Sequence, residues 1–205
     1  PVLSRRYASP SDAGVYECEV STIWGKSYSS AGTVIVTSVT GLLSVEGVTY
    51  STWSAALSAV AVGGTIEVEH GAPAPSNVTV SKRITICPKT GSTHTPVLDA
   101  DTAAGIAFKF SAGSESTNIN GVVFTGYTGT TLATGSGFSG SIELENCVFN
   151  NDQTALGLPV QATGCVFENS VNASYLAGSV TFTDCSFENL EYGVKIGRAS
   201  CRERV

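Results

Sequence analysis

Three hexapeptides place a thiol beside acidic or amide side chains: NCVFNN at 146–151, GCVFEN at 164–169 and DCSFEN at 184–189. In the third, Cys185 stands next to Asp184 and near Glu188, a set that could serve nucleophilic chemistry or hold a metal. Further carboxylates lie between residues 95 and 195: Asp99, Asp101, Asp152, Glu143, Glu145, Glu168 and Glu191. Paired on one outer face, such groups could act as acid and base or bind calcium. Whether they do depends on the elements that carry them.

Those elements repeat. The motif CxFxN returns after 18 and then 20 residues, and the copies SIELENCVFNN, PVQATGCVFEN and SVTFTDCSFEN align throughout. Ile142, Val160 and Val180 share a column, as do Leu144, Ala162 and Phe182, and as do Asn146, Gly164 and Asp184. A weaker copy, TNINGVVFTG, puts Ile119, Gly121, Val122 and Phe124 in the same frame. Alternation with period two makes each half a strand, and the Asn/Gly/Asp column is where left-handed backbone costs least. A third apolar piece follows two copies, TALGL and YGVKI, which predicts three strands per turn of a parallel β-helix.

Stacked coils lie about 4.8 Å apart. Cys147, Cys165 and Cys185 therefore form one predicted column and Phe149, Phe167 and Phe187 another. Asn151, Asn169 and Asn189, two residues further on, are predicted at the inner corner, passing side-chain hydrogen bonds between coils. A column with one thiol per coil lacks the CxxC spacing of zinc sites, so no metal and no cofactor are expected. The thiols are read either as buried small hydrophobes or as one bridge with an odd member. Cys87 is either the start of that column or a separate core residue.

The chain has 205 residues, is 42% hydrophobic and only 14% charged, enough for a sizeable core. A net charge of −6 without a basic stripe excludes nucleic acid as the expected partner. No apolar run of about 20 residues is present, so no membrane span is expected. The chain starts at Pro1 and has no Met, which reads as an internal segment of a longer protein. Residues 196–205, IGRASCRERV, resemble the translation of a sequencing adaptor and are set aside as a non-native tail. Setting them aside lowers the basic count from 11 to 8 and the acidic count from 17 to 16, a charge of −8, and leaves five cysteines.

Residues 1–40 carry another signature. SDAGVYECEV contains Asp12, Gly14, Tyr16 and Cys18 in the spacing DxGxYxC, which resembles the start of strand F in immunoglobulin domains. The resemblance implies a partial Ig-like sandwich of strands E to G, a tyrosine corner at Tyr16, and a strand B partner for Cys18. TVIVTSV would be strand G, with Trp24–Gly32 the loop before it.

After a linker at 41–50, STWSAALSAVA offers Ser51 or Thr52 as N-cap, apolar Trp53, Ala56, Leu57 and Val60, and a stop at Gly63 and Gly64. TIEVEHG and NVTVSKRITI follow. This order resembles the N-terminal start of right-handed parallel β-helices of the pectin-lyase-like class, in which a helix covers the first coil. The CxFxN copies resemble repeats of polymorphic outer-membrane adhesins, although Asn follows Phe by two residues here rather than three. The expected fold is all-β: a right-handed parallel β-helix over 51–195 with an N-terminal capping helix, after a partial Ig-like domain.

Many β-helices of that class cleave acidic polysaccharides. Between residues 95 and 195 the only basic side chains are Lys109 and Lys195, the two histidines, His70 and His94, lie in early turns, and no polygalacturonase-like or pectinesterase-like motif appears. The carboxylates read as solvated surface charge, and no catalytic residue is assigned. Sequons at Asn77 and Asn172 would accept glycans in a secretory pathway. The two resemblances together imply an extracellular or cell-surface, non-enzymatic adhesion or ligand-binding protein whose partners are glycans or cell-surface proteins. The alternatives are a polysaccharide-acting enzyme and a structural stalk.

Overall fold

A computed structural model describes residues 14–16, 19–22, 25–28, 31–34, 42–100, 105–175, 179–191 and 194–195. The chain divides into two compact units, Pro1–Val39 and Thr40–Val205.

In the first unit Gly14–Tyr16 pairs antiparallel with Gly32–Val34, and Glu19–Thr22 pairs antiparallel with Gly25–Tyr28. Gly25–Tyr28 had been expected in a loop; it is a strand because Glu19–Thr22 supplies its backbone partners. Lys26 and Glu19, diagonal neighbours across this ladder, form an exposed ion pair at 2.7 Å.

The second unit is a parallel β-solenoid of about 5 turns. Among the described residues its strands form three sheets. The first begins with Val48–Tyr50 and Leu43–Val45 and continues through Thr65–Val68, Thr85–Pro88, Asn118–Asn120, Ile142–Glu145, Val160–Thr163 and Val180–Thr183. The second stacks Val97–Asp99, Val123–Thr125, Val148–Asn150, Val166–Glu168 and Ser186–Glu188. The third stacks Val78–Val80, Phe108–Phe110, Thr130–Thr134, Thr154–Gly157, Asn172–Tyr175 and Val194–Lys195. Asn172–Tyr175 is the third strand that the middle copy had lacked in the sequence reading.

Register follows the repeat. Ile142 pairs with Val160 and Val160 with Val180, Leu144 with Ala162 and Ala162 with Phe182, and the weak copy enters with Ile119 on Leu144 and Phe124 on Phe149. Gly121, Asn146, Gly164 and Asp184, the bend column, all have positive φ, from 52° to 63°. Bends there let each coil turn from the first sheet to the second without breaking the stack.

Helix Trp53–Ala59 covers the start of the coil. Thr52 caps it, its hydroxyl accepting from the Ala55 amide at 3.3 Å, and Trp53, Ala56, Leu57 and Val60 are buried. Seven residues are too few to hold a helix alone, so packing supplies its stability. Trp53 meets Phe108 edge-on at 4.9 Å and donates its indole N–H to the Pro73 carbonyl at 2.7 Å. Residues 43–50, expected as part of a linker, are instead built into the first sheet. Leu43–Val45 and Val48–Tyr50 form a hairpin that adds antiparallel to Thr65–Val68, with Leu43 and Val45 in the core. The hairpin thus covers the first sheet edge, and the helix covers the open core.

Candidate functional site

The outer face of the first sheet carries a polar array. In Ile142–Glu145 and Val160–Thr163 burial alternates strictly, so Ile142, Leu144, Val160 and Ala162 face the core while Glu143, Glu145, Gln161 and Thr163 face out. Register aligns Asn118, Glu143, Gln161 and Thr181 in one outward column. Asn120, Glu145, Thr163 and Thr183 form the next. The Glu145 carboxylate accepts from the amides of Asn120 at 3.1 Å and Asn118 at 3.4 Å, and the Gln161 amide donates to the Ser141 hydroxyl at 3.4 Å. At the strand entrances these columns border a shallow cleft of about 400 Å³, lined by Ser139, Ser141, Pro159, Gln161, Ser179 and Thr181 among others. Its wall combines hydroxyl and amide groups with the apolar Pro159 and Val160, a mixed surface that can hydrogen-bond a polar neutral ligand. The sequence reading missed this cleft, because its residues come from three coils and no single segment marks it.

The carboxylates divide. Glu143, Glu145, Asp184, Glu188 and Glu191 are exposed, as expected, whereas Asp152 and Glu168 are buried, at 2% and 8% exposure. The surface assignment of those two is therefore corrected. Asp152 occupies the corner between the second and third sheets. Its Oδ1 accepts from the Tyr127 amide at 3.0 Å and its Oδ2 from the Thr131 hydroxyl at 2.9 Å, while its own amide donates to the Ser170 hydroxyl at 3.1 Å. It links three coils. Burial pushes its carboxyl up to about 7, against the opposing pull of the Tyr127 and Thr131 hydrogen bonds. Asp101 lies outside the described residues.

The cysteine column forms as predicted. Cys147 and Cys165 are fully buried, Cys185 is partly exposed, and all are free thiols. The Ser186 amide donates to the Cys165 carbonyl and the Val166 amide to the Cys147 carbonyl, each at 2.9 Å, which keeps the three in register. The Cys147 thiol donates to the Ile119 carbonyl at 3.3 Å. Hydrogen bonding with Cys147, together with burial, pushes the Cys165 thiol up to about 12, and Cys165 with burial raises Cys185 likewise. Cys87 belongs to the first sheet, opposite Glu67, and Val122 precedes Cys147 in the column instead.

The phenylalanines stack as predicted and the asparagines do not follow them inward. Asn151, Asn169 and Asn189 have φ of 51° to 58° and are exposed. Positive φ interrupts the strand alternation that had placed them inside. They still link coils, from the surface: the Asn169 amide donates to Asn150 at 3.0 Å and Asn189 to Asn169 at 3.3 Å.

Of the expected glycan acceptors, Asn77 is exposed at a left-handed bend with φ of 53°. Asn172 is half-buried at the start of a strand rather than in a loop, its amide donating to the Gln153 carbonyl and the Thr154 hydroxyl, each at 3.4 Å. Gly14 and Tyr16 share a strand, and Tyr16 is 42% exposed. Asp12, Cys18, Trp24 and residues 196–205 lie outside the described residues. Among the described residues no helix is long and apolar enough to cross a membrane. In comparisons with known proteins, no family model, no curated protein and no solved structure matches the chain.

Proposed function

We propose that the chain belongs to an extracellular or cell-surface protein that binds ligands without transforming them, and that the outer face of the first sheet is its contact surface. The observation that carries this reading is the cleft lined by Ser139, Ser141, Gln161, Ser179 and Thr181, continuous with outward columns of amides, hydroxyls and carboxylates. Glu145, a carboxylate on that face, rests on two asparagine amides, which favours a fixed acceptor over a group poised to move protons. Flat parallel sheets hold such groups at coil spacing, a repeat that a chain of sugars or an extended peptide can meet. Glu67, Glu143 and Glu145 put negative charge on the same sheet, so neutral glycans are better partners than polyuronates. The Ig-like reading of residues 1–40 and the adhesin-like reading of the repeats belong to this proposal, since both resemble modules used for surface recognition.

Screening the chain against immobilised neutral and acidic glycans tests the proposal. Neutral glycans should be retained, and Gln161→Ala should weaken retention several-fold, about 1 kcal/mol for one hydrogen bond. Release of reducing ends or unsaturated products would replace the reading with an enzymatic one. Absence of retention on every glycan would overturn the assignment of the cleft as a sugar site.

A further inference from the structure

The chain contains two histidines, and the fold brings them together. His70 lies in the turn after Thr65–Val68 and His94 in the turn after Thr85–Pro88, the next strand of the same sheet. Their ring centroids are 5.7 Å apart, with the planes inclined by 37°, and both side chains are exposed. The turn backbone orients each ring. His70 Nδ1 lies 3.2 Å from the Thr95 carbonyl, an atom that only accepts, so Nδ1 carries the proton and the Nε2 lone pair is free. His94 Nδ1 is engaged by the Thr93 hydroxyl at 2.9 Å, while the Ser92 hydroxyl donates to the His94 carbonyl at 2.8 Å and accepts its amide at 3.2 Å.

For His70, a ring nitrogen tied to a carbonyl leaves the opposite nitrogen as the ligating one, the arrangement of a metal-bound histidine; the Thr93 hydroxyl can accept from His94 Nδ1, and in that tautomer His94 Nε2 is likewise the ligating atom. The separation agrees. With metal–nitrogen bonds of about 2.0–2.1 Å, two imidazoles on one ion hold their centroids between roughly 5 and 6.5 Å apart as the angle at the metal opens from tetrahedral to linear. The nearby carboxylates are already engaged: Glu69 pairs with Lys89 and accepts the Leu42 amide, and Glu67 accepts from Thr90.

We infer that His70 and His94 form a surface site for a divalent transition ion of the zinc or copper class, held through both Nε2 atoms and completed by water. Imidazole is a ligand for such ions and a poor one for calcium or magnesium, so the site discriminates by chemistry. Because the ligands come from successive coils, the ion would pin the first two turns of the solenoid together.

The test is a zinc titration of the intact chain after treatment with chelator, read by calorimetry and by the imidazole ¹⁵N resonances. Uptake near one equivalent is expected, with both Nε2 signals shifting. His70→Ala and His94→Ala, both surface changes, should each lower affinity at least about ten-fold while the circular dichroism spectrum is retained. Calcium should produce neither heat nor shifts. Zinc uptake that is unchanged in a variant lacking both histidines, or no uptake at millimolar zinc, would overturn the inference.

Discussion

Phe149 lies directly against Phe167, centroids 5.1 Å apart and ring planes within 3° of parallel. Phe124 extends the stack on one side at 5.2 Å and Phe187 on the other at 5.2 Å. Four coils thus share one aromatic column, and its members differ in exposure. Phe124, Phe149 and Phe167 are fully enclosed, whereas Phe187 is 40% exposed.

The stack predicts an order of sensitivity. Phe149→Ala and Phe167→Ala each remove an enclosed ring and its two stacked neighbours' contacts, and should cost about 3–5 kcal/mol. Phe187→Ala should cost clearly less, because part of that ring already meets water. Chemical denaturation midpoints of the three variants measure this directly; equal losses at all three positions would contradict the packing.

Asp152 predicts a pH dependence with a definite sign. Its carboxyl moves from 3.8 when unfolded to about 7 when folded, so between those values the folded state retains a proton that the unfolded state sheds. Its contribution to stability is complete below about pH 4 and falls until about pH 7, by on the order of 4 kcal/mol at 1.36 kcal/mol per unit. Asp152→Asn keeps an acceptor for the Tyr127 amide, and the Thr131 hydroxyl can rotate to accept from the new amide. The variant should therefore lose this fall, gaining on the parent as pH rises from 4 to 7 in parallel denaturation series. A constant difference across that range would show that Asp152 stays ionised in the fold.

Thiol labelling followed by peptide mapping should separate the cysteine column by position. Cys185 is partly exposed and should react first, slowly at neutral pH because its thiol is pushed up by its bond to Cys165 and by burial. Cys147 and Cys165 should label only as the solenoid opens, with rates that rise in denaturant. Labelling of all three at equal rates in the native protein would mean that the column is not enclosed.

The solenoid was legible wherever one residue's local preference and its stacking partner agreed. Asn146, Gly164 and Asp184 tolerate left-handed backbone, and their column became the bend; Cys147, Phe149 and their repeats alternate with polar neighbours, and their columns became the core. The asparagines after them were misplaced because alternation was carried one residue too far, into a second left-handed bend at Asn151, Asn169 and Asn189 that the spacing does not announce. The hairpin Leu43–Val45 and Val48–Tyr50 escaped notice because short strands gain their pairing partner, Thr65–Val68, only when the solenoid exists.

The candidate sites depend still more on tertiary structure. Asp152 has the composition of a surface residue and becomes buried because the coil before it offers donors, from the Tyr127 amide and the Thr131 hydroxyl, and the coil after it offers the Ser170 hydroxyl as acceptor for its own amide. The cleft at Gln161 and the meeting of His70 with His94 likewise arise across coils. By itself the sequence determined the repeat, the strand period, the stacked columns and the capping helix, since these follow from local periodicity and from side-chain shape at a fixed coil spacing. Only the tertiary structure decided which polar groups face water, which are enclosed and which meet, because burial and proximity depend on neighbours a whole coil away.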